Sequence, residues 1–199
     1  MQIACADFLR RSKATCIPWV LRVIVSGTLD ADLFMEEVMN ICNPIDLFFD
    51  QLRDICSVES QVILTLPDLA ERADSTNLHR WLVSHEEKAV HQKESVISIF
   101  ERHGKNPCGD ICKAMKGLID GGNEHLAKTC DTVVRDLLLV AHCNRIKYYE
   151  IAAYGFATDL AGSIGLSWDQ QELAAILEEE RKSIRALTGI AAGLFGARI

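Results

Sequence analysis

Proline, glycine and aromatic residues are scarce in this 199-residue chain: 4 Pro, 12 Gly and 7% aromatics. With few turn-formers and long stretches free of both Gly and Pro, a β-sandwich is disfavoured and helices are favoured. No two cysteines have the two-residue spacing of a zinc ribbon or a thioredoxin-like site, Cys108 and Cys112 coming nearest. The eight cysteines are therefore expected to be reduced and to act as small apolar residues of a cytoplasmic protein. A cationic excess is also lacking. Lys and Arg total 21 against 28 Asp and Glu, a net charge of −7, which argues against nucleic acid as a partner. No apolar run reaches the roughly 18 residues that a bilayer span requires, so no membrane partner is expected. Glycine-rich phosphate loops, nucleophile elbows and a His-Glu-x-x-His pair are missing as well.

What is present suits one domain of good size, with 49% hydrophobic residues to fill a core. Near the N-terminus, Arg10, Arg11 and Lys13 precede an apolar run from Ile17 to Val25 that superficially copies a signal peptide, but Pro18 and Arg22 interrupt it. Asp30 and Asp32 then open a short stretch with helical spacing. Residues 1–43 are expected to form an extension that folding does not need, with Met35 or Met39 as an alternative start.

From Asn43 onward the punctuation is clear. Asn43 can cap a helix and Pro44 suits its first position, giving a first long helix to about Leu66, with a bend or stop at Pro67. The second should run from about Leu78 to His103 and stop at Gly104. A short helix over roughly 109–119 should end at Gly121 and Gly122. The third long helix is expected from Thr132 to Ile164, and the fourth from Ser167 or Trp168 to Leu187 or beyond. This pattern predicts an all-α fold: a four-helix bundle over residues 44–191, with an extra short helix between the second and third long helices and a tail over 192–199.

Acids interrupt the apolar seams of these helices. Phe48, Leu52, Ile55, Glu59, Val62 and Leu66 recur at steps of four and three, so Glu59 should point inward. Leu139, Cys143, Ile146, Glu150, Ala153 and Ala157 place Glu150 likewise, and Leu173, Leu177, Glu180, Ile184 and Leu187 place Glu180. On the second helix, Val83, Glu87, Val90, Glu94 and Ile97 form a less apolar seam, with His91 one turn after Glu87. Carboxylates gathered inside a bundle need protons, a cationic side chain or metal ions. Two-metal bundles use Glu side chains and Glu-x-x-His pairs on facing helices. The competing reading sets the acids at seam edges, paired with cations such as Arg181 or Lys182.

Four ordered blocks carry a family resemblance: DLFFDQLRDICSVESQV (46–62), FERHGKNPCGDICKAMKGLI (100–119), YYEIAAYGFATDLAGSIG (148–165) and LEEERKSIRALT (177–188). Together they resemble the YciF-type branch of the ferritin-like superfamily, over roughly Pro44 to Ala191. The resemblance implies a bacterial stress-associated bundle, homodimeric, with a rubrerythrin-like metal site and no settled reaction. The implied cofactor is iron, as a di-iron site, with manganese or zinc as alternatives. The implied metal ligands are Glu59, Glu87, His91, Glu150 and Glu180, with Glu86 as the alternative register for the second helix. Three positions depart from the family pattern: Lys147 stands where a carboxylate is usual, Ile184 replaces an acid, and Lys88 replaces another. Lys147 lies one turn before Glu150, and its long stem is expected to carry the ammonium outward. If it turned inward it would neutralise the acids, giving a metal-free interaction or structural module.

Overall fold

The computed structural model describes residues 40–196; the expected N-terminal extension and its apolar run lie almost wholly outside them. Five helices follow in order: α1 Pro44–Arg72, α2 Thr76–Arg102, α3 Lys113–Leu126, α4 Thr132–Ser163 and α5 Ser167–Gly196. No strand occurs among the described residues. The long helices α1, α2, α5 and α4 pack around one interior, and the short α3 lies against α4 and α1.

Each start has a local cause. The Asn43 side chain accepts from the Asp46 amide at 2.9 Å, with Pro44 pre-set in the first turn. Ser75 and Asp131 cap α2 and α4 in the same way. Gly104 and Gly165, at φ 61° and 79°, supply the left-handed turn that ends α2 and α4. Asp136, buried near the start of α4, accepts from the amides of Asp74 at 2.9 Å and Ser75 at 2.7 Å, tying the α1–α2 turn to α4.

Three boundaries differ from those expected of the sequence. α1 continues through Pro67 to Arg72, because Leu66, Leu69 and Ala70 keep the inward face buried on both sides of the proline. The short helix begins and ends later than expected, passing through Gly121 and Gly122 to Leu126. Gly122 is a packing residue: a Cβ there would lie 2.1 Å from the His142 ring, so its glycine admits an imidazole where the sequence suggests a stop. α5 continues to Gly196, into the expected tail.

Two apolar clusters fill the bundle. One gathers Val62, Leu66, Leu69, Leu78, Leu82, Leu139 and Leu187 near the α1–α2 turn. The other gathers Phe48, Leu52, Val96, Phe100, Ala161 and Leu173 toward the opposite end. Between them, at the mid-height of every long helix, lies a layer of buried polar groups.

Candidate functional site: a buried charge cluster around Lys147

Glu59 from α1, Lys147 and Glu150 from α4, and Glu180 from α5 are all fully buried, with His85 and Gln92 of α2 nearly so. The 4-and-3 seams that place Glu59, Glu150 and Glu180 inward are thus realised. The α2 expectation is not. Glu87 and His91 face solvent, and His91 pairs with Glu94 at 3.5 Å with four-fifths of its side chain exposed. The inward seam of α2 is Leu78, Leu82, His85, Ala89, Gln92, Val96 and Ile99. Its spacing is four, three, four, three, four, three, a more regular signal than Val83, Val90 and Ile97 provide, but two polar residues and an alanine disguise it. Lys147 also differs from expectation: it does not turn out to water.

The ammonium of Lys147 sits at the centre of the layer. Its Nζ lies 2.7 Å from Glu150 Oε2 and 2.7 Å from His85 Nε2, and it also contacts Glu180 Oε2. Gln92 donates to the other Glu180 oxygen at 2.7 Å, and Tyr154 donates its hydroxyl to Glu59 Oε1 at 2.7 Å. Glu59 Oε2, Glu150 Oε1 and His85 Nδ1 find no hydrogen-bond partner among the described residues. The Trp81 indole stacks on His85 with ring centroids 5.1 Å apart and donates to the Ser183 carbonyl, so an aromatic plate walls off that side.

Electrostatics fix the protonation pattern. Burial alone would lower the Lys147 pKa, but Glu150, Glu180 and Glu59 outweigh it and raise the pKa, so the ammonium stays charged. His85 is driven well below its ordinary pKa by burial and then by Lys147, so its ring is neutral. An ammonium can only donate, so the neutral imidazole accepts through Nε2 and carries its proton on Nδ1. Burial, followed by repulsion from Glu150, pushes Glu59 well above the carboxylate range. Burial pushes Glu150 up to about 7, with Lys147 opposing the rise. One cation and shared protons therefore balance the three acids.

Other titratable groups lie apart from this layer. Asp169, buried at the start of α5, accepts from Arg102 at 2.7 Å and lies 2.7 Å from His103 Nε2, joining the α2 and α5 ends. Cys42, Cys56, Cys112, Cys130 and Cys143 are free thiols, as expected, whereas Cys108 is disulfide-bonded. The expectation of reduced cysteines fails at Cys108. Among the described residues, no helix is long and apolar enough to cross a membrane.

Comparison with known proteins agrees with the sequence blocks. The family described as "Domain of unknown function (DUF892)" matches residues 43–199. Protein YciF of Escherichia coli K12 is 32% identical over 154 residues, which cover 77% of this chain and 93% of that protein. The crystal structure of the E. coli stress protein YciF superposes with a TM-score of 0.75 at 29% identity, covering 78% of this chain and 99% of that one. YcfI from Rhodopseudomonas palustris gives a TM-score of 0.73 at 31% identity, covering 78% and 98%.

Proposed function

As this chain belongs to the YciF-type, DUF892 family, we propose that it is a stress-associated helical bundle that works without a metal centre, as a structural and interaction module. The stress association is carried over from its E. coli relative, a stress protein. The observation that supports the metal-free reading is the Lys147 ammonium, held between Glu150, Glu180 and His85.

The donor set argues against a two-ion centre. Such centres in bundles use four glutamates and two histidines, with Glu-x-x-His pairs on two helices. Here α2 contributes His85 and Gln92, with Glu87 and His91 on the solvent side. α4 contributes an ammonium where a carboxylate would be needed, and Ile184 adds a hydrocarbon on α5. A positive side chain within hydrogen-bond distance of the donors repels a metal ion from the same point. The residues present do not fit a di-iron group, and no iron or peroxide chemistry follows for them.

The homodimer belongs to the same proposal. Leu64, Val83, Val90, Tyr148 and Phe156 are exposed apolar side chains able to supply contact area. Sedimentation at micromolar concentration should show a dimer, and a monomer would remove this part of the reading.

Elemental analysis tests the main claim. Protein purified without chelator and then given ferrous ion in air should carry far less than one metal ion per chain and develop no ferric absorption. Stoichiometric metal, or a ferric band that saturates with added iron, would restore the di-iron reading.

A further inference from the structure

The geometry points to a latent site for one divalent transition-metal ion at His85, Glu150 and Glu180, held shut by Lys147: the ammonium and the ion are alternative occupants of one place. This rests on the metal-free reading of the native protein and adds what Lys147 excludes. It also assigns a ligand role to His85, outside the ligand set that the sequence suggests.

One donor atom from each of His85, Glu150 and Glu180 lies within 4.8 Å of the others, and all three residues are buried. Two ligands on one zinc-sized ion, at about 2.0–2.2 Å each, stand at most about 4.4 Å apart, so small side-chain movements close the difference. The imidazole is neutral with its lone pair on Nε2, the form a metal requires, and that nitrogen faces the ammonium at 2.7 Å. Gln92 holds Glu180 Oε1 at 2.7 Å, which orients the carboxylate and leaves Oε2 toward Lys147. Glu150 Oε1 is buried without a hydrogen-bond partner among the described residues, a second observation that the layer contains more acceptor capacity than Lys147 uses.

Nitrogen and carboxylate donors of this kind suit a borderline ion such as Zn2+ or Co2+, with a fourth position left for water or for Glu59. His85 Nδ1 finds no partner among the described residues, so the ring lacks the usual outer hydrogen bond that raises metal affinity. The site should therefore be selective in position but moderate in strength.

The test uses the full chain, Co2+ as the probe, and Lys147→Met, which keeps the length of the stem and removes the charge. Elemental analysis should find about one Co2+ per chain in the variant, together with a visible d–d band, and neither in the native protein. Added Co2+ should raise the melting temperature of Lys147→Met and leave that of the native protein unchanged. Adding His85→Phe to the variant should abolish the band. If Lys147→Met does not fold alone, refolding with Co2+ should restore its helical circular dichroism, and failure to do so overturns the proposal. A native protein that already carries stoichiometric metal defeats the metal-free reading. A metal-free native protein whose folded variant takes up no Co2+ defeats only the latent site.

Discussion

Tyr154 and Glu59, both fully buried, meet across the α4–α1 interface with the phenol donating to Glu59 Oε1 at 2.7 Å. Among the described residues no other side chain bonds to Glu59, since its second oxygen has no partner. Tyr154→Phe should therefore destabilise the bundle by about 1–3 kcal/mol, the cost of stranding a buried acceptor. Combining it with Glu59→Leu should cost less than the two single changes added together, because no polar group is then left stranded. Urea denaturation of the four proteins checks this, and strict additivity would show that the pair does not interact.

The corrected face of α2 can be tested at its surface. Glu87→Ala and His91→Ala should each change stability by less than about 0.5 kcal/mol, as expected for exposed positions outside a buried network. His85→Ala should cost several times more, by opening a void beside Trp81 and leaving Lys147 one partner short. Equal effects at His85 and His91 would contradict the assigned register.

These residues also show how much the sequence discloses. Steps of four and three locate Glu59, Glu150 and Glu180 because apolar neighbours surround each of them on its helix, and all three are buried. The same rule misleads on α2, where Val83 and Val90 look like core residues but stand partly exposed. The true seam runs through His85, Ala89 and Gln92, whose inward direction is dictated by polar partners on α4 and α5. Lys147 misleads for a related reason. Its own preference is to reach water, but three buried carboxylates make the outward position costlier for the whole layer. Gly122 looks like punctuation because its role depends on His142, which lies twenty residues away in sequence.

Gly122→Ala should displace the His142 imidazole, since the new methyl would overlap its ring. A loss of about 1–3 kcal/mol is expected from such overpacking, measured by thermal or urea unfolding. Gly121→Ala, where a Cβ meets nothing within 4 Å, serves as the control and should be neutral or mildly stabilising. A neutral Gly122→Ala would mean that the α3–α4 contact is looser than described.

Burial lowers the His142 pKa to about 4, with Arg145 and His125 adding to the effect. The unfolded chain, with an ordinary His pKa of about 6.5, binds more protons than the native state between those values. The His142 contribution to stability is thus fully present above pH about 6.5 and declines as pH falls toward about 4. The loss reaches about 3 kcal/mol at most. Replacing His142 by Leu should remove that part of the acid slope, whatever it does to stability at neutral pH. An identical acid slope in the native protein and His142→Leu would refute the assignment.

A lysine occupies the place where a metal centre would stand. Crystals grown with ferrous ion and measured at the iron absorption edge test this most directly. No anomalous peak is expected among Glu59, Glu150, Glu180 and His85, and density for Lys147 should run continuously to Glu150 and Glu180. One or two strong peaks inside the bundle, with the Lys147 side chain turned away, would contradict it.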